Sequence, residues 1–109
     1  MSTSSKVPRV TAVEVRQEEL VLELDDGTTA SAPLSMFPIL SAGTEEERAH
    51  WKIIHGGRAV RWSLLDEDIS VLSILHPDQC IPMRPEAVAR HLEKVRRWRS
   101  ARPQGRSAS

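Results

Sequence analysis

An intrachain disulfide and a cysteine-based zinc site are excluded at once, because the chain of 109 residues has a single cysteine, Cys80. Tyrosine is absent and aromatic residues make up only 4% of the chain, so core formation rests on aliphatic side chains and on Trp51, Trp62, Trp98 and Phe37. Every apolar run is broken by charge within a few residues, which leaves no transmembrane helix of about 20 apolar residues. The opening Met-Ser-Thr-Ser-Ser-Lys has no apolar secretion core, so a cytoplasmic protein is expected. Glycine and proline are too few for a collagen-like or low-complexity chain, with 5 and 7 residues respectively.

What remains is one compact domain with polar ends, built from 39% hydrophobic and 28% charged residues. Net charge is zero, but residues 1–80 carry 7 basic and 13 acidic side chains while residues 81–109 carry 8 and 2. A basic tail on an acidic body can hold an acidic surface, nucleic acid or its own domain.

Val10 to Arg16 alternates as a strand, with Thr11, Val13 and Val15 on one side. Leu20, Leu22 and Leu24 form a second, and Asp25-Asp26-Gly27-Thr28 supplies a tight turn into a third that ends at Pro33. From Pro33 to Ala42 the apolar residues lose their period, as expected of irregular core. Thr44 and Glu47 make a capping box for a helix expected to run to about Ile54, with Ala49, Ile53 and Trp51 or Ile54 inward and Gly56 or Gly57 as its C-cap. A fourth strand over residues 58–63 buries Val60 and Trp62, and Ser70 caps a short helix ending before His76-Pro77, although a strand over residues 69–75 fits the apolar content equally well. Pro85 opens a last helix to about Arg99. Its stripe of Val88, Leu92, Val95 and Trp98, with His91, is a candidate partner-binding face, and Arg90, Lys94 and Arg97 on another face are candidate nucleic-acid contacts.

The string Phe37-Pro38-Ile39-Leu40, the run from Thr44 to Trp51, then Gly57, Val60-Arg61-Trp62 and Leu65-Asp66-Glu67-Asp68-Ile69-Ser70-Val71 resemble a bacterial family, domain of unknown function 2442, over about residues 8–75. Ser63 departs from it, standing where the family commonly has proline after the tryptophan. The resemblance implies an α+β domain, a small mostly antiparallel sheet with one packed helix, and assigns no catalytic residue. It also implies regulatory company, since some members carry a helix-turn-helix and others are encoded beside a short toxin-like partner, an antitoxin-like setting.

The expected organisation is therefore a loose N-terminus to residue 8, an α+β domain over 9–78, a helical extension over 79–99 and a loose tail. Because the resemblance ends near Leu75, residues beyond about 81 are expected to be dispensable for folding. Trp51, Trp62, Asp66, Glu67, Asp68 and Ser70 are read as its structural signature, the acids capping the turn at Ser70 and bonding backbone amides. A hard-cation site there is disfavoured, because neighbouring extended side chains diverge. His50 and His55 would point apart on a helix, and no nucleophile–base motif is present, so neither an enzyme nor a cofactor is expected. The expectation is a non-catalytic module with a protein partner, ahead of a nucleic-acid accessory protein, and no membrane.

Overall fold

The computed structural model describes residues 7–79 and 83–102. Cys80, the outer part of the N-terminal segment and the end of the tail, about which the sequence raised expectations, lie outside these residues. Strands β1 (Val10–Val15), β2 (Glu19–Leu24) and β3 (Thr29–Pro33) form one antiparallel sheet in that order. A second sheet consists of β4 (Trp51–Ile54), β5 (Ala59–Trp62) and β6 (Glu67–Ser70), also antiparallel. Short helices α1 (Pro38–Ser41), α2 (Glu45–Ala49) and α3 (Val71–Leu75) link and close the sheets, and α4 (Pro85–Ala101) crosses α1. This is an α+β fold, but with two three-stranded sheets where a single small sheet was expected.

Alternation sets β2. Leu20, Leu22 and Leu24 all face the core, and Gly27 at φ +89° allows the return into β3. On β1 the register shifts between Val10 and Ala12, so Val10, rather than Thr11, joins the core with Val13 and Val15 partly buried beside it. The bulge inserts one residue and so inverts the alternation upstream of it. Leu34, Phe37, Ile39 and Leu40 are buried as the loss of period implied, on a 3₁₀ turn over Leu34–Met36 and on α1.

The second half of the chain corrects the sequence reading at two elements, β4 and β6, the latter a strand where an acid cluster outside any strand was expected. The Thr44–Glu47 capping box is present, with Thr44 N–H donating to Glu47 Oε1 at 2.9 Å and Glu47 N–H donating to Thr44 Oγ1 at 3.2 Å. Its helix stops at Ala49 after little more than one turn, because Trp51-Lys52-Ile53-Ile54 pairs with β5, Trp51 opposite Trp62 and Ile53 opposite Val60. β-branched side chains gain more from that ladder than from a second helical turn. Trp51 and Ile54 are only half-buried there, and Ile53 is exposed. His55, Gly56 and Gly57, all at positive φ, form the β4–β5 turn, so Gly56 and Gly57 are not a helix C-cap and the two histidines never share a helix.

β5 buries Val60 and Trp62, and the Trp62 indole N–H donates to Arg48 O at 2.9 Å. Ser70 caps α3 as expected, accepting from Ser73 N–H at 3.2 Å.

Candidate functional site on the C-terminal helix

α4 is set by Pro85 in its first turn and by a stripe at steps of three and four. The structure spends most of that stripe on its own domain. Val95 is 1% exposed and belongs to the main core, with Val88 and Leu92 packed against it, while Trp98 keeps 39% of its surface. Of the four candidate partner-binding residues, Val95 is therefore unavailable to a partner, Val88 and Leu92 are half-buried, and Trp98 alone is presented.

Polar contacts fix the helix on either side of Val95. His91 Nε2 lies 2.7 Å from Leu65 O, and the Lys94 ammonium donates to Asp66 Oδ2 at 2.8 Å. Asp66, in the left-handed region at φ +51°, also accepts from Arg61 through Oδ1 at 2.8 Å, and the same guanidinium reaches Asp68 Oδ1 at 2.8 Å. Among the described residues Asp66 and Asp68 thus bind side-chain cations and no backbone amide, which corrects the capping role expected of them. The bonds from Lys94 and Arg61 outweigh burial and hold the Asp66 carboxyl below its ordinary range. Lys94 also stands 5.2 Å from the centre of the Trp98 ring. Among the nucleic-acid candidates, then, Lys94 is committed within the chain, whereas Arg90 and Arg97 are exposed.

At the far end of α4 the sequence reading missed a buried charge cluster. Glu47, with none of its side chain exposed, accepts from Arg99 Nη2 at 2.7 Å, from Arg99 Nε at 2.9 Å and from Arg102 Nη2. Burial by itself would raise the Glu47 pKa, but the Arg99 bonds, the Thr44 amide and Arg102 overcome it and bring it down to about 2. Only the opposite charges of the two chain halves hinted at this pairing, and charge counts cannot assign partners.

Glu67 behaves oppositely. It lies across from Trp62 on the core-facing side of β6, and burial followed by the neighbouring charges of Asp68 and Asp66 pushes it up to about 7. A carboxyl raised from an ordinary value near 4.5 binds its proton more tightly in the folded chain. The contribution of Glu67 to stability is then greatest below pH 4.5 and falls as pH rises toward 7. Glu67→Gln is expected to stabilise the protein by about 1–2 kcal/mol at pH 8, discounted for partial solvent access, and to change little at pH 4. Urea unfolding at the two pH values checks this, and an equal effect at both would show that Glu67 is not held neutral.

Among the described residues no three His, Cys, Asp or Glu side chains converge as a metal cluster would, and no helix is long and apolar enough to cross a membrane. No curated protein matches the chain. Among solved structures, a crystal structure of a protein of unknown function from Rhodospirillum rubrum ATCC 11170 is similar, with a TM-score of 0.62 at 18% identity, over 76% of this chain and 99% of that one. That likeness is one of fold. A family model described as "Protein of unknown function (DUF2442)" matches residues 10–79, ending before α4 begins. With both sheets and the acid string at 66–68 inside that span, the chain belongs to the DUF2442 family.

Proposed function

We propose that the protein is a non-catalytic regulatory module of the cytoplasm, antitoxin-like in kind, that binds a protein partner through the outer face of α4. The observation that carries this reading is Trp98, left 39% exposed at the end of a stripe whose other members lie against the core. Arg96 and Arg97 are exposed beside it and Arg90 lies two turns back, none with an acidic partner among the described residues. Tryptophan with arginine is the composition that concentrates binding energy at protein interfaces. The alternative, a nucleic-acid accessory protein, is less favoured because Lys94 is already neutralised by Asp66.

A photo-crosslinking residue at exposed Ser100 would capture the partner in cells of the native host, and its affinity would then be measured directly. Trp98→Ala is expected to weaken binding by about 30-fold or more, and Arg90→Ala with Arg97→Ala by less. Random duplex DNA is expected to bind no better than about 10⁻⁵ M at physiological salt. Nanomolar DNA binding with a steep salt slope that Arg90→Ala and Arg97→Ala abolish would reverse the assignment.

A further inference from the structure

A cavity of about 410 Å³ opens between the residues leading into β1, the start of β5 and the start of α3, and no residue of α4 lines it. Its apolar surface comes from Val7 and Leu72, which are 39% and 48% exposed and lie together at one cavity. Its charge comes from Arg9 and Arg58, and among the described residues neither guanidinium forms an ion pair. One of the other cavities that hold arginines differs in this respect. In the groove between β1 and α2, Arg16 is paired with Glu14 and Glu19, and Arg48 donates to Leu40 O and Ser41 O.

The two free guanidiniums stand on fixed backbone. Arg9 N–H donates to Asp25 Oδ1 at 3.1 Å, and Arg9 O accepts from Asp25 N–H at 2.8 Å. The Arg9 stem lies against Gly57, where an added Cβ would approach Arg9 Cβ to 2.6 Å. Arg58 O accepts from Val71 N–H at 2.9 Å, which ties the second arginine to the first residue of α3. Two exposed guanidiniums on pinned backbone, beside two exposed aliphatic side chains, complement a carboxylate that carries an aliphatic neighbour, the charge supplying orientation and the apolar contact supplying area.

We infer that the cavity formed by Val7, Arg9, Arg58 and Leu72 is a docking site for an acidic, aliphatic peptide segment of a partner protein, with Asp or Glu on the two arginines and Leu, Ile or Val on the apolar pair. This site is separate from the α4 face, so either can fail while the other stands.

The test is amide-resolved NMR titration of the full ¹⁵N-labelled chain with the blocked peptide acetyl-Ser-Leu-Glu-Val-Ser-amide. Saturable shifts are expected at Arg9, Arg58, Ser70 and Leu72, with a Kd at or below about 1 mM. Replacing Glu by Gln in the peptide, or making Arg58→Gln in the protein, is expected to weaken binding about tenfold, as is Leu72→Ser. Because Arg58 and Leu72 are exposed, both variants keep the wild-type spectrum elsewhere. Arg97→Gln is expected to leave the titration unchanged, which separates this site from the α4 face. Absence of saturable shifts, or shifts indifferent to the Glu-to-Gln change, would overturn the inference. So would hexanoate binding as tightly as the peptide, since the cavity would then be a small-carboxylate site and not a protein docking point.

Discussion

A chain ending at Asp78 is expected to lose its cooperative melt. The cut would remove α4, and with it Val95 from the main core and the cover that Val88 and Leu92 give. Burial of one valine with the partial burial of two more side chains is worth about 3–4 kcal/mol. The same cut removes both guanidiniums from the carboxylate of Glu47, which the helix also shields from water. Together these losses reach about 5–8 kcal/mol, comparable with the whole stability of a domain this size. Circular dichroism melts and proton NMR dispersion of the truncated and full chains decide the matter. A sharp transition within a few degrees of the full chain would mean that α4 adds little, as the end of the family resemblance near Leu75 had led one to expect.

Substituting Arg99→Ala and Arg102→Ala together is expected to cost about 3–5 kcal/mol at pH 7, because a fully buried carboxylate loses both cations. In the wild-type chain Glu47 has its pKa depressed from 4.5 to about 2, so its contribution is fully present above pH 4.5 and fades as pH falls toward 2. In the double variant only the Thr44 amide still opposes burial and the pKa moves upward, so lowering the pH neutralises Glu47 and relieves the penalty. The difference between the two proteins, measured by urea unfolding, should therefore shrink from pH 7 to pH 4. Adding Glu47→Gln to the double variant should recover part of the loss at pH 7. A cost under about 1 kcal/mol that does not vary with pH would show that the cluster is solvated in solution.

Much of this fold is legible from local chemistry. Leucines at every second position of β2, Asp-Gly at its turn, Thr44 with Glu47 at one helix start and Ser70 at another each declare a local structure, and each is present. The misreadings occur where a distant partner outweighs local preference. Trp51 to Ile54 follow a good helix start, but β5 offers a ladder that only the folded chain brings near. The bulge at the start of β1 is likewise settled against β2. For the candidate site, the stripe and basic face of α4 were readable, but its allegiance was not. Lys94 with Asp66 and Arg99 with Glu47 are separated by 28 and 52 residues, and charge patterning has no register across such distances. The residues of the Arg9–Arg58 cavity gave no sequence signal, being five side chains spread over the segment before β1, the end of the β4–β5 turn and the junction of β6 with α3.

The separation of Glu47 from Arg99 and Arg102, 52 and 55 residues along the chain, also bears on the order in which the protein can fold. Each three-stranded sheet closes through neighbouring hairpins and carries little loop entropy, so both can form early. The ion cluster must close a much longer loop and cannot assemble until the last turn of α4 is in place. During synthesis the acid is made before its two cations, so its dehydration must follow the docking of α4.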